Sequence, residues 1–368
     1  MSCRPSTTDD SIFDGLSAGD LYRYSWTCRD AHDAVSSYFR RNKNFDLHKV
    51  LERYFSLEDV FIAFRELQAA TGMFISGSTA LQFLDRTEYP ESDLDLYVQH
   101  RYRRPIAWWL KEIGYNVIPH PNHQNLGLSL NQVLDLVPDF RTLQDHDTHP
   151  APTKGYFGAA TVYNFEKVDP YRKIQLITCY RYPLEMVLNF HSTCVMNIIT
   201  HEKAYSLYPR ATFDERRTLS YVPDPTEDNG HEKRQVALQK YTSRGWTVVD
   251  RITDVEFRDP RSAFASGERH LGDFKCWTLP ILPKLALPKS TIEANSWALL
   301  YDRKLEPLMT FTVLVSRRLR FTYLIADERL RQFVARIFTA QQDERVDTKW
   351  VIYLAIDRST YLATAIGI

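Results

Sequence analysis

Two carboxylates alternate inside an apolar run in Glu91-Ser92-Asp93-Leu94-Asp95-Leu96-Tyr97-Val98. On a strand this spacing puts Asp93 and Asp95 on one face, where repulsion disfavours two bare charges unless a cation sits between them. A hard, oxygen-seeking metal ion is held in this way. Upstream, Phe74-Ile75-Ser76-Gly77-Ser78-Thr79-Ala80 sets a small-residue turn between a short apolar run and a helix-like stretch over 79–84. The amides of Gly77 and Ser78 then face outward at a helix N-terminus, where an anion is favoured. A phosphate beside a divalent ion implies a nucleotide. The plainer alternatives are a solvated strand edge and an ordinary strand-to-helix turn. Leu94, Leu96 and Val98 favour a buried strand and, with it, metal binding.

The surrounding pattern supplies the elements that position these residues. A helix over 60–68 stops near Gly72 and leads into the strand at Phe74 and Ile75. After the acids, Trp108, Trp109 and Leu110 mark a helix over 105–113, closed by Gly114 and followed by a strand over 115–118. Residues 119–152 read as loops; their His120, His123, His146 and His149 are solvated side chains or, alternatively, a loose metal catch. A hairpin follows, with arms 160–168 and 173–178 around Asp169-Pro170-Tyr171-Arg172. If Val168 pairs with Lys173 across that turn, Glu166 pairs with Gln175 on the same face. Met186, Phe190, Cys194 and Ile198 recur at four-residue spacing and predict one buried helix over 183–200, with His191 packed on it. Residues 223–233 carry the composition of a linker, and strands at 246–249, 275–279, 297–301, 309–315, 320–325 and 350–356, with a helix over 328–339, predict a β-rich C-terminal module.

Gly77-Ser78 followed by Asp93-Leu94-Asp95-Leu96 resembles the signature of the DNA polymerase β-like nucleotidyltransferase superfamily, over a region from about residue 73 to 200. With Phe190-His191-Ser192-Thr193-Cys194, these strings are also similar to those of a set of fungal proteins. The resemblance implies an α+β or α/β fold, a nucleotidyltransferase-like mixed sheet flanked by helices. It implies that Gly77 and Ser78 contact the phosphates of a nucleoside triphosphate while Asp93 and Asp95 hold magnesium. The third acid of the superfamily lies on a later strand, where this chain reads Ile174-Gln175-Leu176. The Gln175 amide oxygen can ligate a cation but brings no charge, leaving Glu166 as the carboxylate that would complete the catalytic set. A second resemblance, to the latter half of an F-box, covers Leu16-Ser17-Ala18-Gly19-Asp20-Leu21-Tyr22-Arg23-Tyr24-Ser25 and Cys28-Arg29. It implies a ubiquitin-ligase adaptor as partner.

The expected organisation is a disordered start and F-box-like helical segment over 1–44, a nucleotidyltransferase-like domain over 45–222, a linker over 223–235 and the β-rich module over 236–368. With 368 residues and 44% hydrophobic composition the chain can bury sizeable cores. Lys plus Arg equals Asp plus Glu at 46 each, so nucleic acid is excluded as a partner unless a local basic patch exists. Five scattered cysteines with no Cys-x-x-Cys pair argue against a disulfide framework and a structural zinc site. No apolar signal core or membrane span is read, which gives a cytoplasmic or nuclear expectation. Two functions follow as expectations: magnesium-dependent transfer of a nucleotidyl group to a hydroxyl, or a catalytically silent fold of the same type serving as a binding module.

Overall fold

Helix signals near the N-terminus are local and strong. In the computed structural model, which describes residues 8–41, 46–55, 57–119, 126–138, 158–221, 230–315, 321–327, 329, 332 and 351–354, three helices form a head: α1 (Thr8–Asp14), α2 (Ala18–Ser25) and α3 (Arg29–Arg41). Ser17 caps α2 reciprocally, its hydroxyl accepting from the Asp20 N–H at 3.1 Å while the Asp20 carboxylate accepts from the Ser17 N–H at 3.3 Å. Leu21, Tyr22, Val35, Tyr38 and Phe39 form the buried side of the head. Next come α4 (Leu47–Leu51) and α5 (Glu58–Thr71), the latter ending at Gly72 in the left-handed conformation (φ 70°) that the sequence anticipates.

The site-bearing segment is β1 (Phe74–Ser76), α6 (Gly77–Asp85) and β2 (Leu94–Gln99), followed by α7 (Arg103–Glu112), β3 (Asn116–Ile118), α8 (Leu130–Asp135), β4 (Ala159–Val168), β5 (Tyr171–Cys179) and α9 (Pro183–Leu188). Then come β6 (Asn197–Ile199), β7 (Lys203–Ser206), β8 (Arg217–Leu219), α10 (Gly230–Ser243) and β9 (Thr247–Val249). The remaining strands are β10 (Gly267–His270), β11 (Trp277–Pro280), β12 (Ser296–Tyr301), β13 (Pro307–Thr310), β14 (Thr312–Val315), β15 (Tyr323–Ile325) and β16 (Val351–Leu354). Eight strands form one mixed sheet in the order β11-β7-β6-β1-β2-β5-β4-β3. Every neighbouring pair in it is antiparallel except β2 with β5. The molecule is thus mixed α/β.

One face of this sheet carries Ile75, Leu94, Leu96, Val98, Ile174 and Leu176 into a core shared with α5, α6 and α7. The opposite face carries Phe74, Tyr97 and Ile177 into a second core with α9 and the later strands. Asp95 and Gln175 belong to that second face by alternation, just beyond its apolar strip.

Three expectations change. The hairpin closes more tightly than anticipated: Val168 pairs with Tyr171, Glu166 with Lys173 and Asn164 with Gln175, because the strands run up to a two-residue turn at Asp169-Pro170. Glu166 is therefore not opposite Gln175. The helix expected over 183–200 stops at Leu188, and residues 197–199 instead form β6, paired with β1 in the middle of the main sheet. Burial on two different elements produced the four-residue spacing. Finally, β11 does not belong to a separate module but pairs with β7 at the edge of the main sheet. The linker expectation falls partly outside the described residues, and its end, from Gly230, is helical. The four loop histidines and most of the helix over 328–339 also lie outside the described residues. Among the described residues no helix is long and apolar enough to cross a membrane, and Cys28, Cys179, Cys194 and Cys276 are free thiols.

Candidate functional site

Gly77 fixes the geometry of the cleft. It enters α6 with φ +69°, and a Cβ on it would lie 2.6 Å from Asp95 Oδ2, so a side chain here is both strained and blocked. The turn therefore stands directly against the second acid. Ser76 precedes the helix in extended conformation without capping it by its side chain; its hydroxyl donates to the Asn197 carbonyl at 2.6 Å instead. Among the described residues the first amides of α6 thus have no side-chain cap from Ser76.

The loop between α6 and β2 is tied down at several points. Thr79 Oγ1 donates to the Asp93 carbonyl at 3.2 Å, Gln82 Nε2 to Ser92 Oγ at 3.0 Å, and Tyr54 OH to the Ser92 carbonyl at 2.6 Å. Gln82 Oε1 also accepts from the Tyr89 N–H at 2.7 Å. These bonds hold Asp93 at the mouth of β2.

Asp93, Asp95, Lys173 and Gln175 come together on the β2–β5 pair, where Asp95 is in register with Gln175. Lys173 Nζ lies 3.3 Å from Asp93 Oδ2, and Gln175 Nε2 donates to the same oxygen at 3.2 Å. Gln175, expected to turn its amide oxygen to a cation, presents its amide N–H to Asp93. Among the described residues no hydrogen-bond donor reaches the Asp95 carboxylate. Loss of hydration, and then the neighbouring Asp93 charge, push the Asp95 carboxyl up to about 7, against weaker opposition from Lys240 and Lys173. Glu166 is one register step away, opposite Lys173, with its carboxylate beside Tyr171.

Further positive charge comes from α10 and the turn after it. The charge of Lys240 is felt by both acids: loss of hydration and Arg244 lower its pKa while Asp95 and Asp93 act to raise it. Arg244 packs its guanidinium on the Tyr89 ring, Cζ 3.6 Å from the centroid, and lies 5.6 Å from that of Tyr241. Among the described residues its buried Nη1 has no hydrogen-bond partner. His191 lies tilted against Tyr241, ring centroids 5.7 Å apart, and burial followed by the charges of Arg234 and Lys240 lowers it to about 4, so it is neutral at pH 7.

Sequence reasoning found the two acids and the glycine turn but not Lys173, Lys240, Arg244 or Tyr89. Lys173 had a signal, since it lies two residues before Gln175 and so on the same strand face. Lys240 and Arg244 had none; only the packing of α10 brings them near.

The donor set does not suit the magnesium pair that the resemblance implies. Asp93 Oδ2 is engaged by two nitrogens, Gln175 offers a donor toward it, and among the described residues no group of three His, Cys, Asp or Glu side chains could hold a metal ion. Compared with protein families, with curated proteins and with solved structures, the chain matches none.

Proposed function

We propose that this chain is a binding module built on a nucleotidyltransferase-like cradle, which takes up the polyphosphate of a nucleoside triphosphate at the α6 N-terminus without transferring it. The observation that carries the reading is the contact between the Gly77 position and Asp95, because it sets uncapped helix amides, the favoured seat of an anion, beside the acid pair. Lys173 pairs with Asp93, Asp95 titrates near neutrality, and the charge of Lys240 acts on both acids, which favours an anionic ligand here. The missing third acid favours binding over turnover: Gln175 cannot accept a proton from an attacking hydroxyl, and Glu166 faces Lys173 and Tyr171. The head packs beside the cradle: its Tyr22 and Phe39 rings lie 5.9 and 5.6 Å from Trp277, and its Leu16 carbonyl accepts from Arg86 at the end of α6.

Titration with fluorescent analogues of ATP, GTP, CTP and UTP tests the reading. Saturable binding of at least one of them, lost in Gly77→Ala, is the expected result, with no label passed to protein or added acceptors. No saturable binding of any analogue overturns it. Label transfer that disappears in Asp95→Ala replaces it with the enzyme reading.

A further inference from the structure

Lys173 and Asp93 face each other across the sheet's parallel strand pair. The β2–β5 register sets Leu94 against Ile174 and Asp95 against Gln175, so one step earlier Asp93 meets Lys173, with Nζ 3.3 Å from Oδ2. Their side chains are 27% and 35% exposed, deep enough in the cleft to be less screened than a surface pair. The Gln175 amide reaches that same oxygen at 3.2 Å and fixes its direction. A divalent ion ligated by Asp93 would sit about 2.0–2.6 Å from this oxygen, in the space the ammonium approaches. An ammonium brings one positive charge and three donors, but no empty coordination position.

We propose that the Lys173 ammonium is the resident cation of the Asp93–Asp95 cleft, standing where a divalent metal ion would otherwise bind, and that removing it turns the cleft into a divalent-metal site. The chemistry is charge substitution. Two carboxylates on one strand face call for positive charge between them, and β5 supplies it from within the chain, tethered and always present. Without the ammonium, Asp93 loses its direct ion pair and, with Asp95, offers the oxygen ligand type that hard divalent ions select, with Lys240 the remaining positive charge acting on both. The corollary, that the cleft takes its ligand without metal, rests on the function proposed above; the cation assignment itself does not, because metal ions alone test it.

The experiment is Mn²⁺ binding to the full chain, followed by the loss of the free-ion electron paramagnetic resonance signal, in wild type, Asp93→Asn, Lys173→Met, Lys173→Gln and Lys173→Met/Asp93→Asn. Circular dichroism confirms the fold of each. Wild type is expected to leave Mn²⁺ free at millimolar concentration. Removing one nearby positive charge raises the affinity of the Met and Gln variants on the order of ten-fold or more, and the added Asp93→Asn change abolishes the gain. Mg²⁺ should also raise the melting temperature of Lys173→Met and leave wild type unmoved. Two lysine variants keep the comparison open if one folds poorly. Equal Mn²⁺ affinity in wild type and the lysine variants, whether tight or negligible, overturns the assignment. So does Mn²⁺ uptake by wild type that Asp93→Asn removes, a result that needs no lysine variant. A failure of nucleotide binding leaves these outcomes untouched, which separates this inference from the proposed function.

Discussion

Two carboxylate sites in this molecule have opposite fates. Asp273, in the turn before β11, accepts from Arg269 Nε at 2.5 Å and Nη2 at 3.0 Å, and from the backbone N–H groups of Lys275 and Cys276 at 3.0 and 2.9 Å. Arg269 in turn donates to the Leu207 carbonyl at 3.0 Å and lies between the rings of Tyr208 and Trp297 at 5.3 and 5.4 Å. Burial alone would raise the Asp273 pKa, yet the Arg269 hydrogen bonds and charge hold it below the ordinary carboxylate value. Asp95 is driven the other way, up to about 7, by loss of hydration and by Asp93. The difference lies in the donors. One carboxylate is enclosed by hydrogen bonds that favour its charge, while the other loses hydration and, among the described residues, receives none. A closed pair builds structure, and an open one is available for binding.

Breaking the closed pair should have the largest effect. Arg269→Ala leaves the Asp273 charge buried without its paired guanidinium, and urea unfolding is expected to show a loss of about 3–5 kcal/mol. A loss below 1 kcal/mol would mean that the two sites are energetically alike. Next is Gly77→Ala, which combines left-handed strain with the 2.6 Å approach to Asp95. A stability loss of about 1–3 kcal/mol is expected from the same measurement, together with loss of nucleotide affinity.

The acids are best compared through pH. The folded-state value of Asp95 is raised from 3.8, so the folded protein holds more protons there and stability falls as pH rises from about 4 to about 7. Asp273 has a lowered value, so its contribution is present above 3.8 and is lost as pH falls below that. Asp95→Asn should therefore be more stable than wild type at pH 8, by about 1–2 kcal/mol, with the advantage gone near pH 4. Thermal melts across that range check the sign, and a difference independent of pH would refute the raised value. The smallest effect belongs to a third carboxylate pair, Arg104 with Asp135, whose side chains are 40% and 58% exposed. Arg104→Ala is expected to change stability by about 0–1 kcal/mol, and less at high salt.

Local signals made the centre of the fold legible. Gly72 ends α5, Gly77 turns the chain, and the alternation of Leu94, Leu96 and Val98 against Asp93 and Asp95 gives β2 its faces, all within reach of sequence periodicity. Register was harder: a turn of two residues instead of four moves Asn164, not Glu166, beside Gln175. Periodicity misled at 183–200, since Met186 and Ile198 are buried on a helix and a strand respectively and their spacing is coincidental. What the sequence could not disclose were contacts between distant segments: Lys240 beside the acids, Arg244 on Tyr89, and β11 against β7. Tertiary packing sets these, with no local pattern to report them.

The seat of the helical head has a consequence for biosynthesis. Tyr22 and Phe39 rest on Trp277, and Trp277 is held in place by pairing with Ser206 at the sheet edge. The head thus lacks its native resting surface until β7 and β11, far downstream of it, have been translated. Its helices can form early, but their apolar side must wait, and the interval is when the nascent protein is most open to chaperones and to aggregation.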